Sequence, residues 1–221
     1  MALQPIEGQP GLFRDTDTLQ IVNIRDFREG DKYDSTTIPA GDIIQTGTEI
    51  VFFSDIQGKR TTDTNFATQR KLSAGESMVL DRIGLYFRTS VGDSITSGRD
   101  IMKVVENCYY RLTINDILQD EGPAIKFPSG YGLYGNTTEN NTSIMALGVP
   151  ATASAARLIK KQMLNQNHEL NGLLRFDSRT WTSAPNPAGF PTSYTVIQPT
   201  LKTPIIMTNY LHGLIRSAVT K

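Results

Sequence analysis

Short runs of β-branched and aromatic residues, separated by long connectors rich in Gly, Pro, Asn, Asp and Ser, constrain this chain most. Residues 48–55, TEIVFFSD, form the first strong strand candidate, because the run ends in the turn-forming SDIQGK. The second half of residues 72–89 alternates, with Ile83, Leu85 and Phe87 on one face. Regular alternation of strands and helices is absent. The pattern therefore predicts a mainly β fold, an antiparallel β-sandwich of the jelly-roll type.

The second half of the chain mixes strand and helix signals. Residues 101–116 begin with a helical stripe and continue as the alternating strand YYRLTIN, and the stripe consists of Ile101, Val104, Val105 and Cys108. Residues 149–170 are alanine-rich and carry Pro150 near their start, which predicts a helix. Residues 203–219 indicate one long strand, or two short strands that meet at Gly213. We therefore expect one or two short helices set into the loops of the sandwich.

The chain divides into two parts by composition. Its 221 residues fit one all-β domain, long enough to bury a core without disulfides. Residues 1–47 contain QPIEGQPG and the charged stretch RDFREGDKYDSTT, which has little to bury. We expect these residues to form an extended N-terminal arm, lying on the surface or ordered by a neighbouring subunit. Residues 48–221 are predicted to form the single β-sandwich domain.

Charge and hydropathy exclude several classes of partner. Lysine plus arginine and aspartate plus glutamate number 22 each, so the net charge is zero. Duplex nucleic-acid binders usually carry a basic excess or a basic face. The one compact basic cluster, Arg157, Lys160 and Lys161, is interpreted as the solvated face of a helix. We expect no specific nucleic-acid site, no transmembrane segment and no secretion signal.

A literal G-x-G-x-x-G occurs at Gly130, Gly132 and Gly135. A dinucleotide site requires a buried strand before the first glycine and a helix at the third. Pro123 and Pro128 interrupt any upstream strand, and NTTENNTS downstream favours turns. The motif is therefore interpreted as a glycine- and tyrosine-rich surface loop, and no cofactor is expected.

Catalytic and metal-binding motifs are also incomplete. His168 begins HELNG, but residue 172 is Gly where the zinc-protease helix has its second histidine. We interpret His168 as a residue at the C-terminus of a helix and His212 as half-buried in a strand. Cys108 is the single cysteine and lies in the apolar VVENCYYRL, which predicts a buried, inert thiol. We predict that the chain is not an enzyme and has neither catalytic residues nor a metal site.

Two stretches carry a resemblance to a known class of protein. Residues 49–87 run from a strand ending in FFSD through a glycine turn and a TN segment to a strand introduced by L-x-x-G-E. Residues 205–219, IIMTNYLHGLIRSAV, have the pattern of a terminal strand. Together they resemble structural proteins from the virions of tailed and small icosahedral bacteriophages. The resemblance implies a viral capsid or minor virion protein with a single jelly roll.

The expected function follows from the resemblance and from the arm. We expect a structural virion protein that self-assembles into a capsid shell through its arm and loops. Its partners would be copies of itself, in trimers or in pentamer- or hexamer-like capsomers, and other virion proteins. It would be located in the virion, assembled in the host cytoplasm. Residues 1–47 and the 123–149 loop are predicted in subunit contacts, with candidate interface residues Phe13, Phe27, Tyr33, Tyr131, Tyr134 and Trp181.

Two other classes remain open. A carbohydrate- or receptor-binding β-sandwich would use Trp181 with Tyr131 and Tyr134 as a stacking platform. An enzyme would depend on His168 or His212. Assembly into large particles would distinguish a virion protein from a carbohydrate- or receptor-binding sandwich. Hydrolysis that is lost on mutation of a histidine would support an enzyme.

Overall fold

The structure of the chain is a computed structural model that describes residues 3–15, 19, 21–23, 26–42, 46–89, 94–129, 134–139, 141–146, 155–177 and 200–216. For residues 94–99, 134–139 and 141–146 the description is confined to the backbone. The described strands are β1 (Leu3–Pro5), β2 (Leu12–Asp15), β3 (Ile21–Asn23), β4 (Arg28–Ile38), β5 (Glu49–Phe52), β6 (Ser77–Thr89), β7 (Cys108–Ile114), β8 (Ile117–Pro123), β9 (Tyr134–Glu139), β10 (Asn141–Ala146), β11 (Ala156–Asn165), β12 (Leu170–Phe176) and β13 (Ile205–Arg216). The described helices are α1 (Ser94–Glu106) and a short 3-10 turn, Ala124–Lys126.

Two four-stranded antiparallel sheets form the body of the molecule. The first sheet has the order β11-β6-β13-β4, and the second has the order β5-β12-β7-β8. β1, β2 and β3 form a separate small sheet, and β9 and β10 form a hairpin. Within the two large sheets the alternation of buried and exposed residues is clearest in β7 and β12, as expected for strands with one face on a core.

A single hydrophobic core lies between the two large sheets. Met78, Leu80 and Leu211 of the first sheet and Leu112 and Leu174 of the second are fully buried in it. Side chains from the inner faces of two sheets interdigitate in this way in β-sandwiches. The predicted antiparallel β-sandwich is therefore confirmed.

One polar contact crosses the core. The Asn209 amide of β13 donates a hydrogen bond to the Tyr110 hydroxyl of β7 over 2.5 Å, and Tyr110 is fully buried. Burial raises the pKa of the Tyr110 phenol, so this hydroxyl stays protonated. The bond therefore links the first sheet to the second through two buried side chains.

The strand pairings of the two sheets are nested. In chain order the eight strands are β4, β5, β6, β7, β8, β11, β12 and β13. The first pairs with the last, the second with the seventh, the third with the sixth, and the fourth with the fifth. Every connection between consecutive strands of these eight, except the β7–β8 hairpin, therefore takes the chain from one sheet to the other, and the β9–β10 hairpin is inserted in the connection from β8 to β11.

The predicted helix over residues 149–170 is wrong. Residues 156–165 form β11, and residues 149–154 lie outside the described part of the chain. Leu158 and Leu164 are buried against the core, and the backbone is paired with β6. Sheet pairing and burial here override a composition of strong helix formers, because intrinsic helix propensity is a weak preference.

The α-helix that the structure describes, α1, lies at residues 94–106, earlier in the chain than the helix predicted at residues 149–170. The predicted helical stripe is confirmed for Ile101, Val104 and Val105, which are buried on one face of α1, but not for Cys108, which is the first residue of β7. The strand that follows is also confirmed, with Tyr110, Leu112 and Ile114 buried together.

The charged stretch at residues 28–38 is not an arm segment. It is β4, which pairs with β13 from Arg28 to Ile38. The expectation that this stretch has little to bury was wrong, because Lys32, Asp34 and Ser35 are all buried. Lys32 is paired with Glu76 and Asp34 with Lys59, both in the loop that follows β5, whereas the Ser35 hydroxyl is bonded to that of Thr208 in β13. These partners lie far away in the sequence, so local composition did not reveal them.

The predicted strands at residues 48–55, 72–89 and 203–219 are confirmed as β5, β6 and β13. β13 is one long strand whose pairing with β6 shifts register between His212 and Gly213. A side chain at position 213 would lie 1.9 Å from the Val79 carbonyl oxygen, so only glycine fits there. The segment is therefore one long strand, and the predicted break at Gly213 is a β-bulge within it.

Candidate interaction surface

The loop between β5 and β6, residues 54–76, lies along the outer edge of β4. We call it the covering loop. The Ser35 amide donates to the Asp63 carbonyl over 2.7 Å, and the Asn65 amide donates to the Tyr33 carbonyl over 3.2 Å. The Asn65 side chain adds two bonds, accepting from the Tyr33 amide over 2.8 Å and donating to the Asp31 carbonyl over 2.7 Å. The covering loop thus pairs an edge that would otherwise present free backbone groups.

A buried carboxylate fixes the start of the covering loop. Asp34 is fully buried and accepts from the Phe53 amide over 2.7 Å and from Lys59 Nζ over 2.8 Å. Phe53 has a left-handed backbone (φ 66), uncommon for a residue with a large side chain. Lys59 follows Gly58 (φ 75), so the predicted turn at SDIQGK is confirmed. The charge pair and the turn hold each other in place.

Three of the predicted interface residues have described side chains, all partly exposed. The Tyr33 hydroxyl donates to the Thr61 carbonyl over 2.5 Å, and its ring lies 5.6 Å from that of Tyr210. Phe27 lies 5.9 Å below the Arg216 guanidinium. Phe13 is in β2 of the small sheet. Tyr33 and Phe27 therefore already contact groups of their own chain, and the structure does not bring the three together.

The other predicted interface residues fall at or beyond the limits of the description. Tyr134 is the first residue of β9, where only the backbone is described. Tyr131 and Trp181 lie outside the described residues. Of the glycine motif, Gly130 and Gly132 also lie outside, and Gly135 is part of β9.

His212 is held on the outer face of the first sheet. Its Nδ1 lies 2.8 Å from Asp31 Oδ1, and its Nε2 lies 3.0 Å from the Ser129 carbonyl oxygen, to which it donates. The Tyr210 ring stacks on the imidazole at 5.7 Å. Ser129 crosses directly over Gly84, where an added Cβ would lie 2.5 Å from the Ser129 Cα. His212 is more deeply buried than predicted, and it fixes a chain segment to the sheet.

His168 lies in the turn after β11. Its Nδ1 accepts a hydrogen bond from the Asn165 amide over 3.0 Å, and its own amide donates to the Asn165 carbonyl. The predicted helix C-terminus is therefore wrong, because the preceding segment is a strand. Among the described residues no group of three or more His, Cys, Asp or Glu side chains is arranged to hold a metal ion.

Cys108 is the first residue of β7 and is buried in the core, as predicted. Burial raises the pKa of its thiol far above the ordinary value. Because the thiolate is the nucleophilic form, a thiol in this environment reacts slowly.

A groove runs between β8 and β11, the terminal strands of the two large sheets. We call it the edge groove, and its volume is about 490 Å³. One wall is the β7–β8 turn with Ile117 and Leu118, and the other is β11 with Ile159 and Met163. Exposed fractions are 68% for Ile117, 47% for Leu118 and 103% for Ile159. The groove therefore brings together apolar side chains that the described part of the chain leaves exposed.

The exposure of Ile159 results from a bulge in β11. Arg157 pairs with Arg82 and Gln162 pairs with Leu80, so four residues, 158–161, lie opposite Asp81 alone. Asp81 Oδ1 lies 3.6 Å from Arg157 Nε and 3.7 Å from Lys161 Nζ. Leu158 turns inward to the core and Ile159 points outward at the tip. Bulges of this kind concentrate at sheet edges, where they redirect side chains.

No protein-family model matches this chain, and no curated protein or solved structure matches it at a significant level. No described helix is long and apolar enough to cross a membrane.

Proposed function

We propose that this chain is a structural virion protein that assembles into a shell with copies of itself and with other virion proteins. The observation that carries the proposal is the nesting of the eight strands, first with last and fourth with fifth. This order is that of a long antiparallel ribbon rolled into two sheets, which supports a jelly roll. Jelly rolls form viral capsid domains, as well as lectin domains and cupins.

Two further features support an assembly role among the functions that jelly-roll domains have. The covering loop and the Asp34–Lys59 pair give the sandwich a rigid edge at β4. At the other edge of the first sheet, the edge groove exposes apolar side chains that a subunit contact would bury. Large exposed apolar patches on folded proteins usually mark interaction sites.

The size of the purified full chain tests this function. We expect trimers, pentamers, hexamers or shells by multi-angle light scattering and negative-stain electron microscopy across concentration and salt. A monomer of 24.4 kDa under all conditions would contradict self-assembly.

Truncation of the N-terminus separates assembly from folding. Removal of residues 1–25 leaves β4 intact, and we expect a folded chain that assembles poorly. Removal of residues 1–47 deletes β4 and with it the Asp34–Lys59 pair, so we expect an unfolded chain. Circular dichroism with light scattering distinguishes the two outcomes. Normal assembly without residues 1–25 would exclude the arm from subunit contacts.

A carbohydrate-binding sandwich is the second candidate, because lectin domains share the same strand order. The outer face of the first sheet offers an aromatic pair, the half-buried Tyr33 and Tyr210, whose ring centres lie 5.6 Å apart. Sugar rings stack on aromatic side chains of this kind. Glycan-array binding by a monomer, lost in Tyr210→Ala, would favour this candidate over the first.

A further inference from the structure

We propose that the edge groove is a twofold contact between two copies of this chain. In this contact the bulge of β11 from each copy enters the groove of the other. The inference rests on the assembly function proposed above and deepens it, because it names the partner and the side chains of one contact.

The first wall of the edge groove is rigid and apolar. Asn115 and Asp116 form the two-residue turn between β7 and β8, with left-handed φ angles of 49° and 62°. Hairpin turns of this kind match the twist of the strands and fix the register. Ile117 and Leu118 follow the turn directly, so their exposed side chains are held in a defined position.

The second wall projects outward. Ile159 is the tip of the bulge, and Lys160 follows it, also exposed. The bulge is fixed at its base by Leu158 in the core and by Arg157 and Lys161 beside Asp81. Ile159 is therefore an apolar tip on a fixed support, and no described side chain of its own chain shields it.

The charges left without an ion pair on the two walls are of opposite sign. On the first wall, Asp120 is paired with Lys126, and Glu121 lies 3.0 Å from Arg111. Asp116 is exposed and makes no ion pair with any described residue. On the second wall Lys160 is likewise exposed and makes none. Among the described residues, the base without an ion pair, Lys160, thus lines the second wall, and the acid without one, Asp116, lies at the rim of the first wall, between the lining residues Asn115 and Ile117.

A twofold axis through the groove gives each of the two walls a contact with the second copy. Such an axis places the first wall of one copy against the second wall of the other, and each contact occurs twice. Ile159 then covers Ile117 and Leu118 of the second copy, and Lys160 meets Asp116. An unrelated partner would need its own matching bulge and turn, whereas the chain already carries both halves.

Charge reversal in the full chain tests the pairing. Asp116→Lys and Lys160→Glu should each weaken association at least about tenfold, because each places like charges together twice. The double variant should return the dissociation constant to within about threefold of the wild type, because the opposite charges are restored in exchanged positions. Sedimentation velocity across a concentration series measures all three.

The apolar tip provides the second test, with a matched control. Ile159→Asp should abolish the contact, whereas Ile125→Asp should leave it unchanged, since Ile125 is 68% exposed but lies outside the groove. Both substitutions fall on exposed positions, so urea unfolding should show folded chains of similar stability. A loss of association by both variants would indicate a general effect of charge and would contradict the proposal.

The outcomes separate this inference from the function on which it rests. Assembly that is insensitive to Asp116, Lys160 and Ile159 overturns the twofold contact and leaves the virion function standing. A dimer that responds as expected but never forms larger particles supports the contact and contradicts the shell. A wild-type monomer at every concentration overturns both.

Discussion

The two edges of the first sheet are treated in opposite ways. At β4 the covering loop pairs the backbone, and a buried carboxylate and the Asn65 side chain fasten it. At β11 the strand bulges and exposes Ile159, and β1 lies beside it without forming a ladder. An open strand edge is a template for association, and proteins usually cover or distort it. Here one edge is covered and the other is distorted.

The difference implies a division of roles between the edges. The covered edge contributes to the stability of the subunit, because its contacts are buried and internal. The distorted edge contributes little to that stability and is available to a partner. Substitutions of the buried residues of β4 should therefore change the free energy of unfolding, whereas substitutions of the exposed tip of the β11 bulge, Ile159, should change association alone.

The largest effect is expected at Asp34. Asp34→Ala leaves the buried Phe53 amide without its acceptor and the partly buried Lys59 without its counter-ion. Breaking a buried pair by removing one partner costs about 3–5 kcal/mol of unfolding free energy. Urea unfolding followed by circular dichroism measures the loss.

An exposed pair elsewhere serves as the control for Asp34. Glu169 lies 3.1 Å from Arg70, and its side chain is 51% exposed. Glu169→Ala should cost less than about 1 kcal/mol, because solvent-exposed ion pairs contribute little. Equal losses in the two variants would mean that burial of Asp34 does not set the strength of the covered edge.

A second internal carboxylate sharpens the comparison through its pH dependence. Asp100 of α1 is fully buried and accepts from the Lys202 and Thr203 amides over 2.7 and 2.8 Å and from Lys103 Nζ over 2.7 Å. It thus fastens the segment that leads into β13. Burial alone would raise the pKa of Asp100, but the bonds from Lys103, Thr203 and Lys202 together lower it below the ordinary value of 3.8.

The expected result for Asp100→Asn is a loss of about 2 kcal/mol of unfolding free energy near neutral pH, from hydrogen bonds to a charged group. Because the folded-state pKa is lowered, the wild-type advantage is complete above about pH 4 and is lost as the pH falls through the folded-state value. Unfolding of both proteins between about pH 2 and pH 7 measures the difference. A difference that is constant with pH would contradict a role for the carboxylate charge.

Asn65 should show a smaller effect at the covered edge. Asn65→Ala removes two bonds to the β4 backbone, from the Tyr33 amide and to the Asp31 carbonyl, while the bond from its own amide to the Tyr33 carbonyl remains. We expect a loss of about 1–2 kcal/mol, because Asn65 is exposed and water replaces part of the lost bonding. Amide hydrogen exchange at Tyr33 should accelerate in the variant. Unchanged exchange there would show that Asn65 does not close the edge.

The sequence predicted the regular parts of this fold because their burial alternates. Ile83, Leu85 and Phe87 in β6 and Tyr110, Leu112 and Ile114 in β7 follow the period of two that a half-buried strand requires. The stripe of α1 follows the period of a helix. In these segments the side chains that face the core are recognisable from spacing alone.

The irregular parts could not be predicted from the sequence, and the reason is physical. In β11 the four residues of the bulge break the period of two, and the remaining alanine, arginine, glutamine, methionine and leucine favour a helix. The exposure of Ile159 depends on that register shift, so it had no signal in the sequence. The Asn115–Asp116 turn did leave one, because Asn and Asp are the side-chain-bearing residues that most readily adopt the left-handed φ angles of a two-residue hairpin turn.

The smallest effect on stability is expected at the distorted edge. Ile159→Ala should change the free energy of unfolding by less than about 0.5 kcal/mol, because the side chain is fully exposed and no core contact is lost. The neighbouring Leu158→Ala should cost about 2–4 kcal/mol, because Leu158 is buried at the base of the same bulge. The two variants differ by one position and remove the same kind of side chain, so urea unfolding of the pair compares the two faces of β11 directly. If Ile159→Ala destabilises the isolated subunit as much as Leu158→Ala, then Ile159 packs within its own chain and the distorted edge is not free for a partner.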